Sequence, residues 1–392
     1  MANTIGAARH LALLLAGLFS MFVSTAIAAA APPCRIVAYT TDWNASGDAR
    51  LDRIDTLIFA FAQVSGDRAV LSPGAAEKLD RIAALKRAHP RLEVVISIGG
   101  WGAGGFSEMA STAAGRATFA DGAVALMRAH HADGIDVDWE YPGHHESGIR
   151  SGPRDRADFT LLLAALRAGL DHAGASDGRH YLLSAAVADG PFASGVDIGA
   201  VAPLVDWFNL MTYDFVNSLT PTTGHHTGLH PSALAPADAR TVDRAVRQFL
   251  AAGAPSEKLL IGVAMYGREF DDVGPAHDGL YQAYGRYGGE HPWPRLERDF
   301  IDRNGFVRHR DADAQASWLW NARTRTFITY DDPESIAAKA GYVEARNLGG
   351  IMYWEEQQDP TGELLGAIWH GLNDPSRVSA TGNPCCRGGC SR

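Results

Sequence analysis

Three acids, Asp136, Asp138 and Glu140, alternate with Ile135, Val137 and Trp139 in the run Asp133-Gly134-Ile135-Asp136-Val137-Asp138-Trp139-Glu140. Alternation is the period of a β-strand, so the acids share one face and the apolar residues the other. Acids on one such face stand roughly 6 to 7 Å apart. On a strand that is buried, like charge and desolvation push at least one carboxyl pKa upward, leaving a protonated acid beside ionised ones near neutral pH. That arrangement suits general acid catalysis, in which a carboxyl protonates a leaving oxygen. The competing readings are a solvated strand face or a cation site. Ile135, Val137 and Trp139 on the opposite face, and the Tyr141-Pro142-Gly143 stop that follows, argue for a buried strand.

Such a strand needs a frame. Short apolar runs alternate with helical patterns along the chain, which is the signature of a parallel sheet with crossover helices. Strands are expected at 35–39, 56–61, 93–98, 135–140, 181–187, 207–212, 260–265 and 350–354, with amphipathic helices at 75–88, 115–130, 156–173 and 242–252. Eight strands suggest a closed (β/α)8 TIM barrel of the α/β class, with an open doubly wound sheet as the alternative. The stretch 270–328 is too long for one crossover helix and is rich in aromatics, so it reads as a small subdomain inserted between strands seven and eight. The barrel then comprises 34–269 and 329–372.

In such barrels the chemistry gathers where the strands end. There stand Tyr39 with Trp43 beyond, Ser97 and Trp101, Glu140, Met211 with Tyr213 and Asp214, and Trp354. Flat aromatic faces ringed by hydroxyls and carboxylates suit the apolar faces of sugar rings. Trp139 and Trp207 read as packing; Trp101 and Trp354, at strand ends, read as contacts to substrate.

Composition narrows the partners. The net charge of −10 and the absence of any Lys/Arg block argue against a nucleic-acid partner. Residues 1–28 read as a secretory signal peptide, with Arg9, an apolar stretch from 11 to 23 and Ala26-Ile27-Ala28 at the cleavage point. That stretch falls short of the roughly 20 residues of a spanning helix, so no stable membrane anchor is expected after cleavage, and the mature chain is expected to be secreted, extracellular or periplasmic, and monomeric. Cys34 and the tail cysteines Cys385, Cys386 and Cys390 are then candidates for disulfides rather than metal, in a C-terminal tail spanning 373–392. The pairs His130-His131, His144-His145 and His225-His226 could be read as a metal cluster, but adjacent side chains diverge, and paired surface histidines are the simpler account.

The acidic run followed by Tyr141-Pro142 resembles the Asp-x-x-Asp-x-Asp-x-Glu signature of the family 18 glycoside hydrolases, the retaining chitinases. Ser97-x-Gly99-Gly100, Met211-x-Tyr213-Asp214, Tyr266-Gly267-Arg268, Tyr330-Asp331-Asp332 and Gly349-Gly350-Ile351-Met352-Tyr353-Trp354-Glu355 follow the family order over 35–370. One departure is Gly262-Val263-Ala264-Met265-Tyr266, where the family commonly has a proline; another is Glu269 after Arg268. The resemblance implies that chitin and chitooligosaccharides are the partners, that no metal or cofactor is needed, and that the substrate's own N-acetyl group is the nucleophile. It implies catalytic roles for Glu140 (acid, then base), Asp138 (holding the acetamido N–H), Asp136 (sharing a proton with Asp138) and Tyr213 (binding the acetamido oxygen). Ser97 and Tyr39 would support Asp136. Phe61, Trp101, Met211, Asp214, Arg268 and Trp354 would contact sugar, with Trp354 as the floor of the reacting subsite. The insertion at 270–328 resembles the small α+β domain that one chitinase subgroup carries before the last strand, and it would deepen the cleft and favour chain-end or processive action. Two other functions share this pattern: an endo-β-N-acetylglucosaminidase acting on N-glycans, and a chitin-binding lectin. Lectin relatives replace the glutamate that is present here as Glu140, and the Trp-Glu-Tyr-Pro continuation favours chitin over N-glycans.

Overall fold

Eight parallel strands close on themselves in a computed structural model that describes residues 34–41 and 48–373. In chain order they are β1 (Arg35–Thr40), β2 (Thr56–Ser65), β4 (Glu93–Gly99), β5 (Gly134–Asp138), β6 (Leu182–Val187), β7 (Trp207–Leu210), β8 (Leu259–Ala264) and β14 (Gly350–Trp354), with β3 (Arg68–Val70) as a hairpin partner of β2. Each strand pairs in parallel with the next, and β14 returns to β1, so the sheet has no open edge among the eight. This is a TIM barrel. The segment 1–28 expected to be a signal peptide, Trp43 and the tail beyond residue 373, with its three cysteines, lie outside the described residues; Cys34 is buried at the start of β1.

Two cores explain why the strands read as near-continuous apolar runs. Outward residues such as Ile36, Leu57, Ile96, Val137, Leu183, Phe208, Ile261 and Ile351 bury against the helices. Inward residues, among them Val37, Ile58, Val95, Ala186, Trp207, Leu260 and Met352, fill the barrel. The expected strand ends shift by a few residues. The shift that bears on function is in the acidic strand: pairing with β4 ends at Gly99 against Asp138, so β5 stops at Asp138 and Glu140 stands just past the ladder. The alternation survives, because Ile135, Val137 and Trp139 all join the outer core while Trp139 stacks on Phe106 at 5.2 Å.

Between β8 and β14 the chain forms a second sheet. Strands β9 (Tyr266–Asp271), β10 (Arg286–Pro292), β11 (Val307–Asp311), β12 (Ala316–Asn321) and β13 (Thr326–Tyr330) pair antiparallel in the order β10-β9-β13-β12-β11. They start at Tyr266, one residue after Met265, and gather their own small core of Phe270, Val273, Leu280, Trp318, Trp320 and Phe327.

Candidate active site

At the centre of the barrel, Asp136 is fully buried and all its acceptor capacity is engaged. Tyr39 Oη (2.9 Å) and Ser97 Oγ (2.7 Å) donate to its Oδ2; Ser184 Oγ (2.6 Å) and Asn209 Nδ2 (3.1 Å) donate to its Oδ1. Four other strands, β1, β4, β6 and β7, thus each supply one donor. Burial still leaves the carboxyl raised above its ordinary value, with the four hydrogen bonds pulling it back down. Asn209 is itself oriented by Trp207, whose Nε1 donates to Asn209 Oδ1 at 2.9 Å, so the residue assigned to packing also holds a polar cage.

Asp138, one step up the same face, is in the opposite condition. It is buried, and its Oδ1 has no hydrogen-bond partner. Burial, then the charges of Glu140 and Asp136, push its carboxyl well above the ordinary range. The close approach above it depends on glycine: Gly100 N donates to Asp138 O at 2.9 Å, and a Cβ on Gly99 (φ 127°) would lie 1.9 Å from that oxygen. This is the physical content of the Ser97-x-Gly99-Gly100 pattern.

Glu140 is 8% exposed, and burial raises its carboxyl to about 7, with a hydrogen bond to Tyr141 lowering it and the charge of Asp214 adding to the rise. Tyr213 and Asp214 arrive from the segment after β7. Tyr213 is buried against Met352, its hydroxyl 3.8 Å from Sδ, and burial followed by the Asp138, Asp214 and Glu140 charges keeps it a phenol and hence a donor. Burial works to raise Asp214, but neighbouring His226 (Nδ1 3.6 Å away) and the guanidinium fork of Arg268 hold it well below the ordinary carboxylate range. Tyr266 Oη donates to the same carboxylate at 2.7 Å, and Arg268 reaches on to Glu290 at 3.0 Å on the second sheet.

Half-buried aromatics cap this charge cluster. Phe61, Tyr141, Phe192 and Trp354 pack on the inner core, with Phe61 and Trp354 stacked at 5.8 Å and Tyr141 and Phe192 at 4.4 Å. Met211 is buried in the inner core, and Trp101 stands 56% exposed in an edge-on arrangement with Tyr141, their ring centroids 6.2 Å apart. Asp133, by contrast, sits at the start of β5, bound by Lys86 (2.8 Å), Arg179 (2.6 Å) and Val94 N (2.8 Å). It anchors the strand.

The residues expected on sequence grounds therefore converge on one mouth, apart from Trp43, which is not described. Ser184, Asn209, Tyr141, Tyr266, His226 and Glu290 were not among them. Ser184 and Asn209 carried a signal of the same kind as the acids, a polar residue inside a buried apolar strand; Tyr141 and Tyr266 stand in the motifs Tyr141-Pro142 and Tyr266-Gly267-Arg268 without a role of their own, and His226 and Glu290 come from a loop and a second sheet whose approach no local pattern encodes. The histidine pairs separate, and His225 and His226 are buried rather than on the surface: His130 meets Asp80 at 2.6 Å, His225 meets Asp311 at 3.0 Å, and His144 meets Ser194 at 3.2 Å. Among the described residues no group of three or more His, Cys, Asp or Glu is arranged to hold a metal.

A TIM barrel with a line of raised carboxyls at the end of its acidic strand, roofed by aromatics, is the architecture of a glycoside hydrolase. Residues 35–359 match the family described as Glycosyl hydrolases family 18, and the chain belongs to that family. Among its relatives, Chitinase A1 of Niallia circulans is 38% identical over 300 residues, which are 72% of this chain and 43% of that protein, so the chain spans less than half of that relative's length. Chitotriosidase-1 of Mus musculus is 30% identical over 340 residues, 82% of this chain and 72% of the mouse protein. A solved family 18 N-acetylglucosaminidase from Paenibacillus barengoltzii superposes with a TM-score of 0.81 at 39% identity, covering 86% of this chain and 99% of that one.

Proposed function

We propose that the protein is a secreted chitinase that hydrolyses β-1,4 linkages between N-acetylglucosamine units with retention, using the substrate's acetamido oxygen as nucleophile. The observation that carries this reading is the contrast along one strand: a buried Glu140 at about 7 next to an Asp138 with an unpartnered buried oxygen. Glu140 begins protonated and gives its proton to the glycosidic oxygen as the C1–O bond breaks. The acetamido carbonyl oxygen closes on C1, forming an oxazolinium ion. Asp138 accepts the acetamido N–H and balances the developing positive charge, and the Tyr213 hydroxyl donates to the acetamido oxygen. Glu140, now a carboxylate, then removes a proton from water as that water opens the ring at C1, which restores the β configuration. Asp136 stands behind Asp138 on the same strand, its own oxygens held by four donors.

Phe61, Trp354, Met211 and Trp101 supply the apolar surfaces for the sugar rings, Asp214 and Arg268 the polar edge, and the second sheet, through Glu290 and Tyr287, one wall of the cleft. No metal or cofactor takes part in these steps, so dialysis against EDTA should leave turnover unchanged. Export rests on the pattern of residues 1–28, and among the described residues no helix is long and apolar enough to cross a membrane.

The likeness to the Paenibacillus N-acetylglucosaminidase favours a second reading, release of single sugars from a chain end. Chitohexaose digestion followed by proton NMR and chromatography tests both. β-Configured disaccharide as the first product supports the chitinase reading and β-configured monosaccharide the second; a first-formed α anomer overturns the substrate-assisted route. A high-mannose glycoprotein digested in parallel should stay intact.

A further inference from the structure

The helix Pro333–Ala345 buries a charge that none of these steps uses. Lys339 is 0% exposed, and its Nζ donates to Asp331 Oδ2 at 2.6 Å and to Thr227 Oγ1 at 2.5 Å. Asp331 is held at its other oxygen by Ser335 Oγ at 2.6 Å, in the first turn of the same helix. An ammonium has only protons to give, so it occupies a lone pair of the Thr227 hydroxyl and turns that hydroxyl's own proton outward. The proton's nearer acceptor is the Thr212 carbonyl, 2.9 Å away, with Asp331 Oδ2 second at 3.3 Å. Thr212 is in turn locked onto β8, its Oγ1 donating to Gly262 O at 3.0 Å and accepting from Gly262 N at 2.7 Å. The next two residues are Tyr213 and Asp214. Further along, Phe215 N donates to His226 O at 3.0 Å, so the segment from Thr212 to Thr227 is a loop whose ends are clamped together.

A buried ion pair is a poor way to gain stability, because desolvation consumes most of the attraction and an apolar pair of similar volume holds a helix as well. It does supply direction. We propose that Lys339 is a positioning residue for the active site: through the Thr227 hydroxyl and the Thr212 carbonyl it sets where the Tyr213 hydroxyl and the Asp214 carboxylate stand relative to Glu140. The groups facing Lys339 are Asp331 and, at longer range, Asp332; those facing Glu140 are Asp138, Asp214 and Tyr141. This inference rests on the functional reading above, in which Tyr213 and Asp214 serve the reaction of Glu140.

The test is Thr227→Val, which removes the hydroxyl and leaves the Lys339–Asp331 pair in place, assayed on chitohexaose beside Thr227→Ser and the wild type. A displaced loop should lower kcat roughly 10- to 100-fold. KM should stay within about twofold, because the loss falls on the transition state rather than on ground-state binding. The alkaline limb of the pH profile should move to lower pH, because the Asp214 charge that raises Glu140 withdraws. Thr227→Ser should restore both kcat and the limb. Wild-type kcat with an unmoved limb in Thr227→Val, or a loss that serine fails to rescue, overturns the proposal. Adding Thr227→Val to Lys339→Met should cost nothing further, and additive losses overturn it as well; where Lys339→Met does not fold, the Thr227 pair decides alone. Failure of the functional reading itself has a separate signature, equal activity of the wild type and Glu140→Gln, and would remove the basis of the proposal.

Discussion

Glu140 and Asp138 differ from Asp136 by the partners they lack. Asp136 has four donors; Asp138 has an orphaned oxygen, and Glu140 is raised to about 7. The acid form of Glu140 starts the reaction, so activity should fall as pH rises through about 7. Glu140→Gln should lower kcat by roughly 10²- to 10⁴-fold while chitooligosaccharide binding, measured by calorimetry, persists. The same raised carboxyl costs stability. An unfolded glutamate ionises near 4.5 whereas the folded one holds its proton to about 7, so stability contributed by this group is full below the lower value and is lost as pH rises through that window. Glu140→Gln should therefore raise Tm at pH 8 and change it little at pH 4, as read by calorimetric scans. A lower Tm at pH 8 would contradict the buried, charge-crowded site.

Elements place these side chains by close approach, and glycine is where that shows. A Cβ on Gly262 of β8 would meet the Tyr213 ring at 2.8 Å and Leu210 O at 2.6 Å, so the ring occupies space that any other residue would take. Gly262→Ala should overpack the inner core by about 1–3 kcal/mol, lower Tm and reduce kcat, as the phenol is pushed from its place. Gly122, in the helix Ala113–Ala129, has nothing within 4 Å of an added Cβ. There Gly122→Ala should stabilise by about 0.5–1 kcal/mol with kcat unchanged, since only helix propensity is altered. The two substitutions are chemically identical, and their opposite signs would separate a glycine that makes room from one that does not.

At the scale of the whole molecule, the barrel brings donors from β1, β4, β6 and β7 to one carboxylate, and the second sheet delivers Arg268 to Asp214 from the side. Trp101 stands clear of both cores at 56% exposure, so it is free to contribute to binding without contributing to packing. Trp101→Ala should leave Tm within a degree or so, as exposed substitutions do. On chitohexaose it should raise KM by about 5- to 10-fold, the loss of one aromatic contact of ~1–1.5 kcal/mol. An unchanged KM would place the sugar chain elsewhere.

The sequence alone determined the eight strands, the acidic face and most of the residues at the mouth, because a strand buried on both sides must be apolar throughout and any polar residue inside it stands out. Asp136, Asp138, Glu140, Ser97 and Tyr39 were legible on that ground or through the motif that contains them. Only the tertiary structure decided which acid is satisfied and which is not. The cage around Asp136 joins Tyr39, Ser97, Ser184 and Asn209 across as many as 170 positions, counting the Asn209 to Tyr39 bond at 3.2 Å, and no local period carries such a distance. The same holds for Lys339. In the sequence it is one lysine in a helix, and only the packing of that helix against the segment after β7 turns it toward Thr227 and the loop that carries Tyr213 and Asp214.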